Sequence, residues 1–208
     1  TLTTSYINMF FIEVYQKYLM RLIVFFLIFI SLNKLTMAEE KKAYFAGGCF
    51  WCVEEAFEKT PGVLKAISGY TGGDLKNPTY EQVTYNETGH YEAVEVVYDP
   101  KVISYNQLLN VFWKNIDPYD AKGQFCDKGS SYLTAVFYQN EEEKIAFEES
   151  KKNLGKSDIS NFVTHIKKLD IFYPAEDYHQ DYYKNNPIRY KLYKNGCGRV
   201  QRLKKIWD

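Results

Sequence analysis

The residues with the clearest chemical potential lie in one short stretch, Gly47-Gly48-Cys49-Phe50-Trp51-Cys52. Two consecutive glycines allow the backbone to turn tightly after a strand, which predicts that Cys49 lies at the N-terminus of a helix. The unpaired N–H groups and the dipole at that position favour a thiolate and lower the pKa of the thiol. We therefore expect Cys49 to be a nucleophile; the alternative is a small apolar side chain that fills the core.

Cys49 and Cys52 also form a Cys-x-x-Cys pair, which is typical of dithiol exchange. The two intervening aromatic residues are bulky and no proline shapes the turn, which argues against a thioredoxin-like motif. In the first helical turn, these aromatic residues would either wall a small apolar pocket or pack into the core. A zinc site is disfavoured, because Cys126 and Cys197 are single and far apart.

A carboxylic acid near the start of a predicted strand is the second candidate. The segment 91–98 alternates, with Glu92, Val94 and Val96 on one face. Desolvation on an apolar face raises the pKa of a carboxyl group, which can then stay protonated near neutral pH and act as a general acid. The alternative is a glutamate at the end of a strand that reaches water.

A mixed α/β domain must position these residues. The patterns predict strands at 42–46, 63–70, 91–98, 132–138 and 162–169. They predict helices at 50–59, after the capping box Ser104-x-x-Gln107 and after Asn140. The order matches an α/β (α+β) fold with a split βαβ, ferredoxin-like core. Residues 171–208 are predicted to form a long, mostly irregular C-terminal tail with one short helix at 176–183, which wraps the core.

Composition limits the class of protein. The chain has 208 residues, of which 46% are hydrophobic and 25% charged, as in a globular protein. Lys+Arg and Asp+Glu both total 26, so the strongly basic footprint of a nucleic-acid-binding protein is absent. Four cysteines are too few for a disulfide scaffold.

Residues 1–38 read as a leader that precedes a single domain at 39–208. Met20 and Arg21 are followed by an apolar run of 11 residues at 22–32, and Thr36-Met37-Ala38 offers a cleavage site. This pattern predicts a signal peptide and an exported, periplasmic or secreted protein. The alternatives are an uncleaved anchor, or a translation artefact upstream of Met37 with a cytoplasmic protein.

Several further motifs occur in a fixed order along residues 42–190: Gly47-Gly48-Cys49-Phe50-Trp51, Ser68-Gly69-Tyr70-Thr71-Gly72-Gly73, Thr88-Gly89-His90-Tyr91-Glu92-Ala93-Val94, Asp127-Lys128-Gly129 and Ala175-Glu176-Asp177-Tyr178-His179-Gln180. With these motifs the chain resembles the peptide-methionine (S)-S-oxide reductases, the A-type methionine sulfoxide reductases. The resemblance implies reduction of free and protein-bound methionine S-sulfoxide, and hence protein repair after oxidative stress. It also implies a catalytic cysteine that passes through a sulfenic acid.

The resemblance implies a role for individual residues. Cys49 matches the nucleophile, and Phe50 and Trp51 match the aromatic residues that hold the methyl group of the sulfoxide. Glu92 matches the acid that protonates the sulfoxide oxygen.

The remaining implied pocket residues supply hydroxyl and carboxyl groups. Tyr80 and Tyr132 match the tyrosines that hydrogen-bond the sulfoxide oxygen, and Asp127 matches an acidic residue of the same pocket. A protonated or strongly hydrogen-bonded oxygen is a better leaving group, which gives these residues a physical role.

The resolving thiol is predicted to be Cys197, which lies between Gly196 and Gly198 in a C-terminal segment like those that carry resolving cysteines in many family members. Cys52 and Cys126 are the alternatives. The resemblance implies no metal and no bound organic cofactor. It implies an external dithiol reductant: thioredoxin or an exported thioredoxin-like protein in the cell, and dithiothreitol in the test tube. We expect a monomer.

Two other functions remain open from the residues alone. A general thiol–disulfide oxidoreductase would use Cys49 and Cys52 and would have no activity on sulfoxides. A non-catalytic module would bind methionine through the aromatic pocket, and its binding would survive Cys49→Ser.

Overall fold

The computed structural model describes residues 16–23, 25 and 39–208. Residues 16–23 and 25 are helical and exposed, and the rest of the predicted leader lies outside the described residues. Within the described ranges, no helix is long and apolar enough to cross a membrane. Residues 39–208 form a unit of their own, which contains all the candidate site residues.

Residues 39–208 alternate between strands and helices, and the mixed α/β class is confirmed. The strands are β1 (Lys41–Gly47), β2 (Val63–Thr71), β3 (Tyr91–Tyr98), β4 (Gly123–Gln124), β5 (Asp127–Lys128), β6 (Thr134–Tyr138), β7 (His165–Lys168) and β8 (Phe172–Pro174). The helices are α1 (Phe50–Glu58), α2 (Tyr80–Tyr85), α3 (Tyr105–Lys114), α4 (Glu141–Lys152), α5 (Tyr182–Asn185), α6 (Pro187–Gly196) and α7 (Arg199–Trp207). Three short 3₁₀ turns lie at Ser130–Tyr132, Ile159–Asn161 and Asp177–His179.

Six strands form one sheet in the order β7-β6-β1-β3-β2-β8, and β4 pairs with β5 in a separate hairpin. Neighbouring strands of the large sheet are antiparallel except β6 and β7, which are parallel. Alternate residues of β1 and β3 point to opposite faces, so Phe45 and Val94 join the main core, while Tyr44 and Ala93 join a second cluster. The finer ferredoxin-like description stays a prediction.

Side-chain caps fix where several helices begin. The Ser104 hydroxyl accepts from the Gln107 N–H at 3.3 Å, and the Gln107 amide oxygen accepts from the Ser104 N–H at 2.8 Å, as the predicted capping box requires. Thr79 and Gln82 form a second box at the start of α2. The predictions above do not include α2, although the Thr-x-x-Gln pattern that marks its start is present in the sequence.

The prediction of a mostly irregular C-terminal tail is wrong, because three helices occupy residues 182–207. Pro187 begins α6, where its missing N–H costs nothing, and Gly198, with φ of +67°, separates α6 from α7. Tyr190 and Ile206 are the buried apolar residues of the two longer helices. Because each of these helices buries only one apolar side chain, the sequence does not show the regular spacing of apolar residues that would predict a helix.

Candidate active site

The turn between β1 and α1 places the first cysteine. Gly48 has φ of +78°, and a Cβ atom there would overlap the side chain of Gln124, so the position requires glycine. Cys49 follows as the N-cap of α1, and its carbonyl oxygen accepts from the Cys52 N–H at 3.1 Å. The strand, the glycine turn and the helix are therefore arranged as the sequence predicts.

A pocket of about 210 Å³ opens beside this turn. Eight residues line it: Cys49, Phe50, Trp51, Tyr80, Glu92, Asp127, Tyr132 and Tyr193. Seven of the eight are the residues that were predicted to be catalytic or to bind substrate, and none of those predicted residues lies outside the pocket. The eighth, Tyr193, was not predicted. A larger cleft of about 500 Å³ is lined by residues from Lys41 to Ala146, but it contains none of the predicted site residues and no cysteine. We therefore place the site in the smaller pocket.

Glu92 is the acid of the pocket. Its side chain is 2% exposed, and its Oε2 accepts from the Phe50 N–H at 3.0 Å. Burial raises the pKa of Glu92 to about 8, and the nearby charge of Asp127 acts in the same direction. Glu92 is consequently protonated at neutral pH, as expected for a general acid, and does not reach water.

Two tyrosines bring hydroxyl groups to the same pocket. Tyr80 begins α2, and its N–H donates to Glu176 Oε1 at 2.9 Å. Tyr132 ends the 3₁₀ turn that follows Gly129, whose φ is +131°. Burial, followed by the charge of Glu92, raises the pKa of both tyrosines, so both hydroxyls remain donors.

The two aromatic residues after Cys49 have different roles. Phe50 is 1% exposed and packs into the core, with its ring centroid 5.0 Å from that of His179. Trp51 stacks on Tyr182, with centroids 3.8 Å apart and an interplanar angle of 7°. Its Nε1–H donates to His179 Nδ1 at 3.1 Å. Burial lowers the pKa of His179 to about 4, so the imidazole is neutral and its Nδ1 can accept.

The cysteine pair at the start of α1 is free and buried, since Cys49 is 5% exposed and Cys52 is 3% exposed. Burial raises the pKa of Cys49, with further contributions from Cys52 and Glu92, whereas a hydrogen bond from Tyr193 lowers it. The expected lowering of the Cys49 pKa is therefore not observed at rest, because burial outweighs the position at the helix N-terminus.

Cys52 carries the more stable thiolate of the pair. A hydrogen bond from Cys49 lowers the pKa of Cys52 to about 6 against the opposing effect of burial, and Arg199, Tyr190 and Lys194 also lower it. These three residues come from α6 and α7. The C-terminal helices thus supply positive charge and a hydroxyl group to the second cysteine.

Cys197 does not line the pocket. It forms a disulfide with Cys126, with the two Cα atoms 4.9 Å apart. Its assignment as the resolving residue stays a prediction, because this disulfide would have to open first. Cys126, Asp127 and Cys197 bring potential metal ligands within 4.8 Å of one another, but the two sulfurs are bonded to each other and only the carboxylate remains to bind an ion.

The arrangement combines a nucleophile with a set of proton donors. A thiol, a protonated carboxyl group and two hydroxyls converge on one small pocket with an aromatic wall. Such a site can attack a soft centre with sulfur while it protonates an oxygen atom bound to that centre.

Comparisons with known proteins agree with this chemistry. A sequence model of the family described as peptide methionine sulfoxide reductase matches residues 41–208. A protein named peptide methionine sulfoxide reductase MsrA from Bacillus licheniformis is 52% identical over 174 residues, which cover 82% of this chain and 96% of that protein. The protein of the same name from Bacillus subtilis is 49% identical, over 82% of this chain and 98% of its own.

Solved structures show the same similarity. Methionine sulfoxide reductase A of Corynebacterium diphtheriae superposes with a TM-score of 0.65 at 30% identity, over 73% of this chain and 77% of its own. Mxr1 from Saccharomyces cerevisiae in reduced form gives a TM-score of 0.67 at 29% identity, over 74% of this chain and 90% of its own.

Proposed function

Because the chain belongs to the peptide methionine sulfoxide reductase family, we propose how its residues carry out that reaction. The protein is a peptide methionine sulfoxide reductase, which reduces methionine sulfoxide to methionine at the expense of thiols. The observation that carries the residue assignments is the convergence of Cys49, Glu92, Tyr80 and Tyr132 on one pocket. We propose the S-sulfoxide, free or in proteins, as the substrate.

Substrate binding uses the aromatic wall. The methyl group of the sulfoxide packs against Trp51, which Tyr182 and His179 hold in place, and against the edge of Phe50. A pocket of about 210 Å³ suits the end of a methionine side chain and leaves the backbone of a peptide substrate outside.

Activation of the sulfoxide falls to the acid and the hydroxyls. Glu92 is protonated at neutral pH and donates its proton to the sulfoxide oxygen. Tyr80 and Tyr132 donate hydrogen bonds to the same oxygen, which stabilises the charge that develops there. Asp127 lines the same pocket, and its charge helps to keep Glu92 protonated.

Cys49 performs the nucleophilic step. Its proton passes to Cys52, and the resulting thiolate attacks the sulfoxide sulfur while Glu92 protonates the oxygen. The sulfur–oxygen bond of the substrate breaks, the hydroxyl group is transferred to Cys49, and methionine leaves. Cys49 ends as a sulfenic acid and the substrate sulfur has been reduced by two electrons.

Cys52 is the better-placed thiol to resolve this intermediate. It is free and lies in the same buried cluster as Cys49, one helical turn away, whereas Cys197 is bonded to Cys126. Cys52, which now carries the proton taken from Cys49, attacks the sulfur of the sulfenic acid, and this proton leaves with the hydroxyl group as water, so that a Cys49–Cys52 disulfide forms. Resolution by Cys197, the sequence prediction, would first need reduction of the Cys126–Cys197 disulfide.

An external dithiol resets the enzyme by thiol–disulfide exchange. We propose thioredoxin, or an exported thioredoxin-like protein if residues 20–38 act as a signal peptide. Repair of oxidised proteins would then be the role of the enzyme, and no bound cofactor is needed for any step. A monomer is sufficient, since one chain supplies every residue of the pocket.

The test is turnover of the two epimers of a methionine sulfoxide peptide with dithiothreitol. Wild type is expected to consume only the S epimer, and Cys49→Ser neither. Consumption of the R epimer would contradict the proposed stereochemistry. Wild-type protein that consumes neither epimer but reduces protein disulfides would replace the proposal with a general dithiol oxidoreductase.

A further inference from the structure

We propose that Tyr193 is a catalytic residue whose hydroxyl group stabilises the thiolate of Cys49. It is the pocket residue that neither the sequence motifs nor the proposed mechanism includes. The inference rests on the proposed function, because it assigns a role within the same reaction.

The position of Tyr193 supports this role. Tyr193 lies on α6 and lines the pocket together with Cys49. Its ring meets Trp51 edge-on, with centroids 5.9 Å apart and an interplanar angle of 81°. Its hydroxyl group donates to Asp127 Oδ2, and Tyr193 packs against the buried cluster that contains Cys49.

The hydroxyl therefore has one proton to donate, and the same pocket holds two groups that can accept it, the Asp127 carboxylate and the Cys49 sulfur. At rest Cys49 is a neutral thiol and Asp127 receives the hydrogen bond. When Cys49 loses its proton to Cys52, the new thiolate becomes a competing acceptor. A hydrogen bond to an ionised group is worth more than one to a neutral group, so rotation of the hydroxyl towards Cys49 stabilises the nucleophile as it forms.

The chemistry of Tyr193 suits a permanent donor. Burial raises its pKa far above the usual range, and the charges of Cys49 and Asp127 act in the same direction. Tyr193 therefore does not ionise during the reaction, and the proton it offers stays on its oxygen.

A covalent link holds the donor in place. Cys197 follows Tyr193 by one helical turn, and its N–H donates to the Tyr193 carbonyl at 3.0 Å. Cys126 is the neighbour of Asp127, so the Cys126–Cys197 disulfide joins the two segments that carry the hydroxyl and its resting acceptor. The link limits how far the Tyr193 hydroxyl can move from the pocket.

The test compares Tyr193→Phe with Tyr183→Phe in the full chain. Tyr183 also donates to a carboxylate, Glu58 Oε2 at 2.7 Å, but it does not line the pocket. Tyr193→Phe is expected to lower kcat by about tenfold to a hundredfold with little change in KM, since it removes one charge-assisted hydrogen bond. Tyr183→Phe is expected to retain wild-type kcat and KM.

A second readout separates stabilisation of the thiolate from packing. Alkylation of Cys49 by iodoacetamide, located by mass spectrometry, is followed against pH in each protein. Tyr193→Phe is expected to raise the midpoint of that alkylation by about one pH unit or more, and Tyr183→Phe to leave it unchanged. A fall in kcat without a shift of the midpoint would overturn the inference, as would equal behaviour of the two variants.

A double-variant cycle gives a test that does not depend on turnover. Asp127→Asn weakens the resting acceptor, so it should lower the alkylation midpoint of Cys49 more when Tyr193 is present than in Tyr193→Phe. Equal shifts in the two backgrounds, measured on protein that melts cooperatively, would overturn the role of Tyr193. An inactive wild type would refute the proposed function instead, and the alkylation shifts would still report on Tyr193.

Discussion

The backbone N–H of Phe50 donates to Oε2 of Glu92 at 3.0 Å, which joins the first turn of α1 to the second residue of β3. The bond fixes the acid next to Cys49, because Cys49 and Phe50 are adjacent in the chain. An unpaired N–H at the start of a helix is thereby satisfied by the residue that we propose as the general acid.

Glu92→Gln is expected to lower kcat by about 10²- to 10⁴-fold, the usual range for general acid catalysis. Glutamine can still accept from the Phe50 N–H, so the geometry is retained while the acidic proton is lost. Turnover at saturating substrate measures the effect. Glu95→Gln is the matched control, since Glu95 is also buried on β3 but binds Lys42 and Tyr44; an equal loss there would contradict the assignment.

The pH profile of wild-type enzyme should fall as pH rises through about 8. Glu92 has a raised pKa of about 8, so it is protonated below that pH and ionised above it.

The raised pKa of Glu92 also makes the stability of the fold depend on pH. A raised folded-state pKa stabilises the fold fully below the unfolded value near 4.5, and the contribution is lost as pH rises to about 8. In urea unfolding, the free energies of wild type and Glu92→Gln should agree best below about pH 4.5, diverge as pH rises to about 8 because only wild type loses stability, and differ by a constant amount above it. A constant difference over the whole pH range would contradict the shift.

Tyr132→Phe and Tyr80→Phe should each lower kcat by about 10², the usual effect of removing one donor to a developing negative charge. The double variant should lose less than the product of the two, because the hydroxyls act on the same oxygen. Tyr85→Phe, on the same helix as Tyr80 but 78% exposed, should be indistinguishable from wild type. Steady-state kinetics on the S epimer measures kcat for each variant; equal losses in Tyr85→Phe and Tyr80→Phe would contradict the assignment.

Replacement of the resolving cysteine should separate the two reductants. Cys52→Ser is expected to keep a reduced turnover with dithiothreitol, because it removes the group that takes the proton of Cys49 but leaves the sulfenic acid open to reduction by this small dithiol. The same variant is expected to lose turnover with thioredoxin. Cys197→Ser is expected to retain both. The opposite result, in which only Cys197→Ser loses activity with thioredoxin, would assign resolution to Cys197 as the sequence predicts.

Loss of the Cys126–Cys197 disulfide should destabilise the fold without abolishing the pocket. The bond closes a loop with a sequence separation of 71 residues, for which chain entropy gives about 4 kcal/mol. Urea unfolding of the double variant Cys126→Ser/Cys197→Ser under non-reducing conditions measures this value. In reducing buffer, the free energy of unfolding of wild type should fall to that of the double variant. A remaining difference would indicate that the two serines disturb the packing.

Much of the site could be predicted from local sequence, because its key elements are defined by short-range rules. The Gly47-Gly48 turn, the alternation of β3 and the Ser104 cap are of this kind, and each lies where it was predicted. The convergence of Tyr80 and Asp127 on Cys49 is long-range and was expected only from the resemblance to a family.

The C-terminal segment shows why the rest could not be predicted. The role of Tyr193 depends on where α6 packs, and nothing within a few residues of Tyr193 distinguishes it from the other tyrosines. The pairing of Cys126 with Cys197 depends equally on the tertiary fold, since spacing alone does not determine which cysteines meet. The position of Cys49 at a helix N-terminus predicted a lowered pKa, whereas its burial, which depends on the tertiary fold, raises it.

The burial of Cys49 and Cys52 has a consequence for the proposed sulfenic acid, because it limits contact of the reacting sulfur with further oxidant. A sulfenic acid that meets a second molecule of peroxide advances to sulfinic acid, which most proteins cannot reverse. In the proposed reaction the oxidised sulfur of Cys49 has Cys52 as its neighbour, so an intramolecular thiol competes with any oxidant that arrives from solution. By the proposed mechanism, the enzyme thus keeps its own reacting sulfur in a reversible oxidation state.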